Sequence, residues 1–278
     1  FVDITDKAKV GGEGRWSSGV SLIDINNDNL LDIYVSVTVK KRADQRANLL
    51  YVNQGFDKEG TPKFKEMAKE YGIADTTHTT NAAFFDYDND GDLDLYLVVN
   101  QMEDSRFPNK YNEKGKIIFS KKTDRLYKNT LEKGAVHFED VSKEAGIFDD
   151  GFGLGINITD INRDGWKDIY VTNDFLTNDL LYINNKNGTF TEQAKEYFKH
   201  TSYSAMGNDV SDINNDGLMD IIALDMMPAN NYRKKMMTPA NSYATYQNND
   251  RFNYTYQYAR NTLQVNQGKN PVSGQAIF

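Results

Sequence analysis

The sequence lacks several residues on which common folds and enzymes depend. It contains no cysteine, and its 278 residues include only 3 histidines and 5 prolines. Without cysteine the chain forms neither disulfide bonds nor thiolate metal sites, and it has no cysteine nucleophile. No apolar run approaches the roughly 18 residues of a membrane span, and no basic-then-apolar signal segment opens the chain. We therefore expect no transmembrane segment.

Recognisable catalytic motifs are also missing. The sequence has no Gly-x-Ser-x-Gly motif, no His-Glu-x-x-His motif and no glycine-rich phosphate loop. His78, His137 and His200 lie far apart and show no metal-ligand spacing. A hydrolase or lyase needs a positioned acid, base or nucleophile. The sequence therefore predicts a protein that is not an enzyme.

Acidic residues outnumber basic ones, 40 to 32, which gives a formal net charge of −8. Binding to nucleic-acid phosphates needs clustered Lys and Arg, and here these residues are scattered. A nucleic-acid partner is therefore excluded. Many of the acidic residues are concentrated in four copies of one short pattern.

These copies are the first loop (24–32), the second loop (86–94), the third loop (160–168) and the fourth loop (212–220). Oxygen-bearing side chains recur at positions 1, 3, 5 and 9. Position 6 is Gly, or Asn29 in the first loop, as a left-handed backbone requires, and the chain reversal turns the position 7 carbonyl inward. Calcium takes about six to eight such oxygens. The sequence predicts up to four Ca²⁺ ions, with these ligands: Asp24, Asn26, Asp28, Leu30, Asp32, Asp86, Asp88, Asp90, Asp92, Asp94, Asp160, Asn162, Asp164, Trp166, Asp168, Asp212, Asn214, Asp216, Leu218 and Asp220.

The EF-hand shares positions 1, 3, 5 and 6 with these loops, but it also requires Glu at position 12 and flanking helices. Position 12 is apolar in all four copies: Val35, Leu97, Val171 and Ala223. Strand-forming residues follow every loop, as in Asp168-Ile-Tyr-Val-Thr. Asp, Asn and Gly also favour ordinary turns, but four copies in one register argue against a simple turn. Each loop is therefore predicted to join two strands of a hairpin.

Two further strand patterns recur between the loops. One resembles Leu-Tyr-x-Asn, as at 126–129, and the next begins Phe-x-Glu or Phe-x-Asp, as at 64–66 and 1–3. One unit is thus strand, acidic loop, strand, connection, strand, turn, strand. Four such units favour an all-β fold, a β-propeller with four-stranded antiparallel blades and calcium loops between the first two strands of each blade. The predicted single region, 1–278, divides into units of about 1–75, 76–148, 149–200 and 201–278.

The acidic loops within this unit resemble the FG-GAP or VCBS repeat of the integrin α-subunit propeller. The Leu-Tyr-x-Asn and Phe-x-Glu segments, with Ala-Gly-Ile at 145–147, resemble the subgroup that contains cartilage acidic protein and secreted bacterial proteins with an ASPIC/UnbV domain. The resemblance implies about seven blades, so the four units are expected to be part of a longer propeller. A four-bladed ring closed by residues 1–5 is the alternative.

The calcium loops and the family resemblance also predict where the protein is located in or outside the cell. Loops of weak affinity fill at millimolar extracellular calcium and not in the cytosol, so we expect an extracellular or cell-surface protein. For bacterial relatives the resemblance implies an outer-membrane lipoprotein, with the lipidated cysteine before residue 1, in some cases alongside a glycan or peptide importer.

Two insertions, 101–123 and 226–259, interrupt the second and fourth units. The first is polar and is predicted to be a solvated loop or hairpin. The second is rich in Tyr and Met, which suit an interface but also packing against the chain's own propeller. We predict a calcium-stabilised interaction module for a protein or polysaccharide on the cell surface. The alternatives are a polysaccharide lyase, or another carbohydrate-active enzyme, on a calcium-bearing propeller, and a purely structural calcium-repeat protein.

Overall fold

The computed structural model describes residues 1–100, 114, 122–132, 135–236 and 242–278. Most of its regular structure is β-strand, arranged in four antiparallel sheets that each lie within one predicted unit. Among the described helices, none is both long and apolar enough to cross a membrane. The predicted all-β class and the blade-like sheets are confirmed.

The strands follow the predicted order within each unit. The first sheet has β1 (Ser17–Ile23), β2 (Asp32–Val37), β3 (Leu49–Phe56) and β4 (Pro62–Glu66); the second has β5 (Thr79–Phe85), β6 (Asp94–Val99), β7 (Arg125–Glu132) and β8 (Ala135–Asp140); the third has β9 (Gly153–Thr159), β10 (Asp168–Asn173), β11 (Leu180–Asn184) and β12 (Phe190–Glu192). After β13 (Thr201–Ser202), the fourth sheet has β14 (Ala205–Ser211), β15 (Asp220–Asp225) and, beyond β16 (Gln257–Tyr258), β17 (Thr262–Gln264). The α-helices are α1 (Thr5–Ala8), α2 (Ala194–Tyr197), α3 (Asn231–Met236) and α4 (Tyr243–Phe252), and short 3₁₀ turns cover Gly12–Gly14 and Ala43–Gln45.

Two predicted strands differ in the structure. The fourth sheet has three strands, and its expected fourth strand at 276–278 is reduced to one antiparallel bridge between Lys269 and Ala276. Residues 1–4 are not a strand, and α1 follows them. A strand needs a hydrogen-bonded neighbour, and the described part of the chain provides none beside residues 1–4.

Consecutive sheets meet through their first strands, in the order β1, β5, β9 and β14. Two glycines permit this approach. A Cβ on Gly19 would lie 2.8 Å from the Thr80 carbonyl oxygen, and one on Gly155 would lie 3.1 Å from the Gly207 Cα. The contact at Gly19 is shorter than a Cβ allows and the contact at Gly155 is tighter than usual, so glycine favours the close strand spacing.

Each of these first strands contains a register shift of one residue near its start. In β1 and β5 the extra residues are Ser18 and Thr80. The Ser18 hydroxyl donates a hydrogen bond to the Thr79 carbonyl of the next sheet at 2.8 Å, and the Thr80 hydroxyl donates to the Gly153 carbonyl at 2.7 Å. These β-bulges therefore provide hydrogen bonds between neighbouring sheets.

Apolar side chains fill the space between successive sheets in three buried clusters. Strands β6 and β10 are buried on both faces, which explains their continuous apolar sequences. The fourth sheet buries Ile221 and Ala223 against the third, while Ile222 and Leu224 on its other face are exposed.

The described residues cover the two insertions to different extents. Of the 101–123 insertion, only Lys114 and residues 122–123 are among the described residues, so the predicted loop or hairpin lies outside them. The 226–259 insertion forms α3, α4 and β16, with residues 237–241 outside the description. Its helices were not predicted from the sequence, although Ser242 caps α4 by accepting a hydrogen bond from the Thr245 N–H at 3.1 Å.

Candidate metal centre

The four acidic loops share one internal hydrogen-bond pattern. In the third loop the Asp160 carboxylate accepts the N–H groups of Asp164 at 2.9 Å and Gly165 at 2.8 Å. The Asp164 carboxylate accepts the Trp166 N–H at 3.0 Å. The equivalent bonds in the other loops measure 2.8 to 3.3 Å. Positions 1, 5, 6 and 7 are therefore held in the same closed turn four times.

The backbone of each loop reverses at two residues. Position 6 has φ between 65° and 95°, at Asn29 and at Gly91, Gly165 and Gly217, as expected from the sequence. Position 4 is also left-handed, with φ between 54° and 60°, although it carries no glycine. Three of these residues are Asn, which tolerates that conformation better than most, and the fourth is Arg163.

The position 9 aspartates, Asp32, Asp94, Asp168 and Asp220, are buried and accept two backbone hydrogen bonds each, at 2.7 to 3.2 Å. One oxygen accepts from position 2 of the loop, and the other from an Asn within the third strand or just beyond its end. Those asparagines are Asn53, Asn129, Asn184 and Asn266. Each carboxylate thus joins the loop to two strands, and its remaining lone pairs leave the predicted ligand role open. Sequence reasoning missed this second role, although the recurring Asn was visible.

Burial raises the pKa of three of these carboxylates, those of Asp32, Asp94 and Asp168. It raises the pKa of Asp94 and Asp168 to about 7, although the N–H donors oppose the shift. A neighbouring divalent cation would favour the charged form and lower both pKa values.

Position 3 supplies oxygen atoms that lack a partner. Asp88 Oδ1 in the second loop and Asn162 Oδ1 in the third loop are buried and receive no hydrogen bond from the described residues. In the second loop, single oxygens of Asp86, Asp88 and Asp94 lie within 4.8 Å of one another. Converging oxygens with unused lone pairs suit a hard cation, so the second and third loops fit calcium.

The first and fourth loops have Asn at position 3. The side-chain amides of Asn26 and Asn214 donate to Asp28 and Asp216 at 3.0 and 2.9 Å. Rotating either amide would present its oxygen to an ion. These two loops share the backbone geometry of the others but have fewer carboxylates than the second loop.

The second loop differs from the others in charge. It has Asp at all five of its odd positions, including Asp88 and Asp92, and burial raises the pKa of Asp92 to about 6. The Lys128 ammonium from β7 contacts the Asp88 carboxylate and lies 3.1 Å from an Asp90 oxygen. In the third loop Lys186 contacts Asp164 at 3.3 Å. Neither lysine was predicted from the sequence to lie beside a loop.

Both insertions reach the third unit. The Lys114 N–H donates to the Phe252 carbonyl at 3.1 Å, and the buried Lys114 ammonium pairs with Asp149 at 2.8 Å. Burial lowers the pKa of Lys114, but Asp149 and Glu192 outweigh this effect and raise it above its usual range. The side chains of Lys114, Asp149 and Glu192 line a cavity of about 300 Å³ beside β12, together with Asn253.

The 226–259 insertion is partly buried and partly exposed. Tyr254 is buried, and the Thr255 N–H donates to Asn178 at 3.3 Å, so its last third packs against its own sheets. Tyr232, Met236 and Tyr243 are each at least 70% exposed. We call Met226, Tyr232, Met236, Tyr243, Tyr246 and Tyr258, all exposed large apolar residues, the Tyr/Met surface. The last third of the insertion therefore packs against its own chain, and the interface remains a prediction for the exposed part.

Aromatic stacking orders part of the Tyr/Met surface. The Tyr246 ring lies 6.5 Å from Tyr243 with an interplanar angle of 15°, and 5.0 Å from Tyr256 with an angle of 5°. The Tyr256 hydroxyl donates to Asp250 at 2.7 Å. Stacking and this hydrogen bond thus constrain the orientations of the rings.

The three histidines contact separate regions. His78 lies beside Thr38, His137 beside the Glu70 carbonyl, and His200 beside Arg260. Burial, with a smaller contribution from Arg260, lowers the pKa of His200. The structure does not bring these side chains together.

Comparison with known proteins agrees with the repeat. Residues 160–223, from the start of the third loop into β15, match the family model of the FG-GAP-like repeat. This stretch contains the third and fourth loops, so FG-GAP-like repeat sequence and blade-like sheets occur in the same chain. A search of curated proteins finds no match.

Among solved structures, a lectin of Agrocybe aegerita, described as recognising non-reducing terminal N-acetylglucosamine, is 14% identical with a TM-score of 0.40. The match covers 74% of this chain and 46% of the lectin, so the chain spans less than half of that protein's length.

Proposed function

We propose that this protein is a calcium-binding interaction module that works outside the cell or at its surface, without catalytic activity. The observation that carries the proposal is the shared loop geometry, in which four loops form the same closed turn. Two of them retain a buried position 3 oxygen without a hydrogen-bond partner among the described residues. Oxygen-only donor sets of this kind are those that calcium prefers.

Calcium would have a structural role in this module. Each loop joins the first two strands of a sheet, and position 9 also joins the third strand, so an ion bound there would hold three strands together. Weak extracellular calcium sites fill at millimolar concentrations. The proposal therefore includes an extracellular or surface location. We also propose that the protein is related to the subgroup of cartilage acidic protein and ASPIC/UnbV proteins. The proposal further includes a longer propeller and a lipid anchor.

Isothermal titration with calcium tests the metal sites. We expect up to four ions per chain, with dissociation constants of about 10⁻⁴ to 10⁻³ M. Asp160→Ala removes the position 1 carboxylate of the third loop and should lose one ion. Asp44→Ala, an exposed carboxylate outside the loops, is the matched control and should lose none. No calcium binding by the wild type would refute the proposal.

The Tyr/Met surface is the candidate contact for a protein or glycan partner. Tyrosine and methionine are enriched in interface cores because they present large apolar area with a polar group or an adaptable chain. Here the tyrosines are exposed and pre-ordered by stacking. Stacked aromatic side chains lose little conformational freedom on binding, which favours affinity.

The partner surface can be tested with arrays of glycans and extracellular proteins. The double substitution Tyr243→Ser and Tyr246→Ser should weaken binding to any partner that the wild type retains by about tenfold or more, since aromatic anchors dominate many interfaces. Phe56→Ser is the control, because Phe56 is equally exposed in β3, far along the chain. Equal losses in both variants, or none in the double variant, would exclude this surface.

A further inference from the structure

The second unit differs from the other three at two residues that contact each other, Lys128 and Asp88. Strand pairing places Lys128 at the same position of the third strand as Val52, Ile183 and Val265. Three units thus have an aliphatic residue where the second unit has an ammonium group. The second loop is also the loop with Asp, Asp88, instead of Asn at position 3.

The second unit also lacks the tyrosine that interacts with position 3 in two other units. In the first and third units a tyrosine hydroxyl interacts with the position 3 amide, Tyr71 with Asn26 and Tyr197 with Asn162. The equivalent residue in the second unit, seven residues after the Phe of the fourth-strand motif, is Ala145. A neutral amide and hydroxyl are thus replaced by a carboxylate and an ammonium.

The ammonium lies among the predicted calcium ligands. Lys128 contacts Asp88, lies 3.1 Å from Asp90 Oδ2 and sits 6.0 Å from the Tyr87 ring centre. Its side chain is 32% exposed and that of Asp88 is 15% exposed. The lysine side chain is positively charged at physiological pH.

We propose that Lys128 is a tethered cation that competes with the metal ion for Asp88 and Asp90, so that it holds the second loop closed without metal and weakens calcium binding there. This inference rests on the calcium proposal above. Five carboxylates in one loop repel one another, and the ammonium offsets part of that repulsion. A divalent ion bound to the same oxygens would be repelled by Lys128, which must turn away before the ion binds.

The test compares calcium titrations and metal-free melting of Lys128→Met, which keeps the apolar stem and removes the charge. We expect calcium to bind the second loop about tenfold more tightly in this variant, because the competing charge is gone. We expect its melting temperature in chelator to fall, because the five carboxylates lose their counter-charge. Lys128→Arg should retain the wild-type melting temperature in chelator.

Two controls assign these effects to the second loop. Asp86→Ala removes its position 1 ligand, and the tightening caused by Lys128→Met should disappear in the double variant. Lys186→Met removes the more exposed lysine beside the third loop, which contacts Asp164 alone, and should produce smaller changes.

The outcomes separate the two proposals. If the wild type binds calcium and Lys128→Met leaves both the isotherm and the metal-free melt unchanged, the role of Lys128 is overturned and the calcium proposal stands. If neither protein binds calcium, the calcium proposal fails, and competition by Lys128 fails with it. Tighter calcium binding together with a lower metal-free melting temperature supports the inference.

Discussion

Saturating calcium is expected to raise the free energy of unfolding by several kcal/mol. A loop with a dissociation constant of about 1 mM contributes about 1.4 kcal/mol at about 10 mM calcium, so four loops would contribute about 6 kcal/mol. For a chain of this size, that corresponds to a rise in melting temperature of about 10 °C. The physical reason is linkage, since the loop oxygens converge in the folded chain and not in the unfolded one. Thermal melting in calcium and in chelator measures the difference.

Magnesium at the same concentration is the control for ionic strength and for divalent charge. It requires a smaller octahedral shell and gives up its water reluctantly, so we expect it to stabilise the protein much less. An identical melting temperature in calcium and in excess chelator would contradict four sites of this affinity. A rise of only about 2 °C would be expected from a single occupied loop.

The substitution Asp168→Ala is expected to destabilise the protein by about 3 to 5 kcal/mol, with or without calcium. Asp168 is fully buried, and its oxygens accept the N–H groups of Ile161 at 3.0 Å and Asn184 at 2.9 Å. Each buried donor left without an acceptor costs about 1 to 3 kcal/mol, and a hydrogen bond to a charged group is at the upper end. Urea unfolding in chelator and in calcium measures the change.

A position 5 variant distinguishes the two roles of the loop carboxylates. Asp164 accepts one N–H within its own loop and joins no other strand through the bonds described above. Asp164→Ala should therefore lose stability mainly in calcium, and much less in chelator. If Asp168→Ala behaves in the same way, position 9 serves only as a ligand and not as a link between strands.

The loops and strands could be predicted because their determinants are local. Gly91, Gly165 and Gly217 permit the left-handed turn, and the apolar residues at position 12 exclude the EF-hand and indicate strands. Repetition in one register then predicted the sheet order. The match of residues 160–223 to the FG-GAP-like repeat covers two of these loops.

The missed features depend on contacts between distant parts of the chain. Asn184 meets Asp168 across the sheet, and Lys128 reaches Asp88 from a different strand, 40 residues away. Neither contact follows from loop spacing. Helix α4 was missed because tyrosines and asparagines have modest helix propensity, so its Ser242 cap was the main local indication.

The β-bulge near the start of each first strand has a consequence for how such a chain can change in evolution. Its extra residue bonds to the following unit, through Ser18 and Thr80, and it also sets the register of its own sheet. Deletion of Ser18 or Thr80 would remove the bulge and, with it, the hydroxyl that bonds to the neighbouring unit. A change of length at this position therefore affects two units at once, whereas the 101–123 and 226–259 insertions fall between the second and third strands of their sheets.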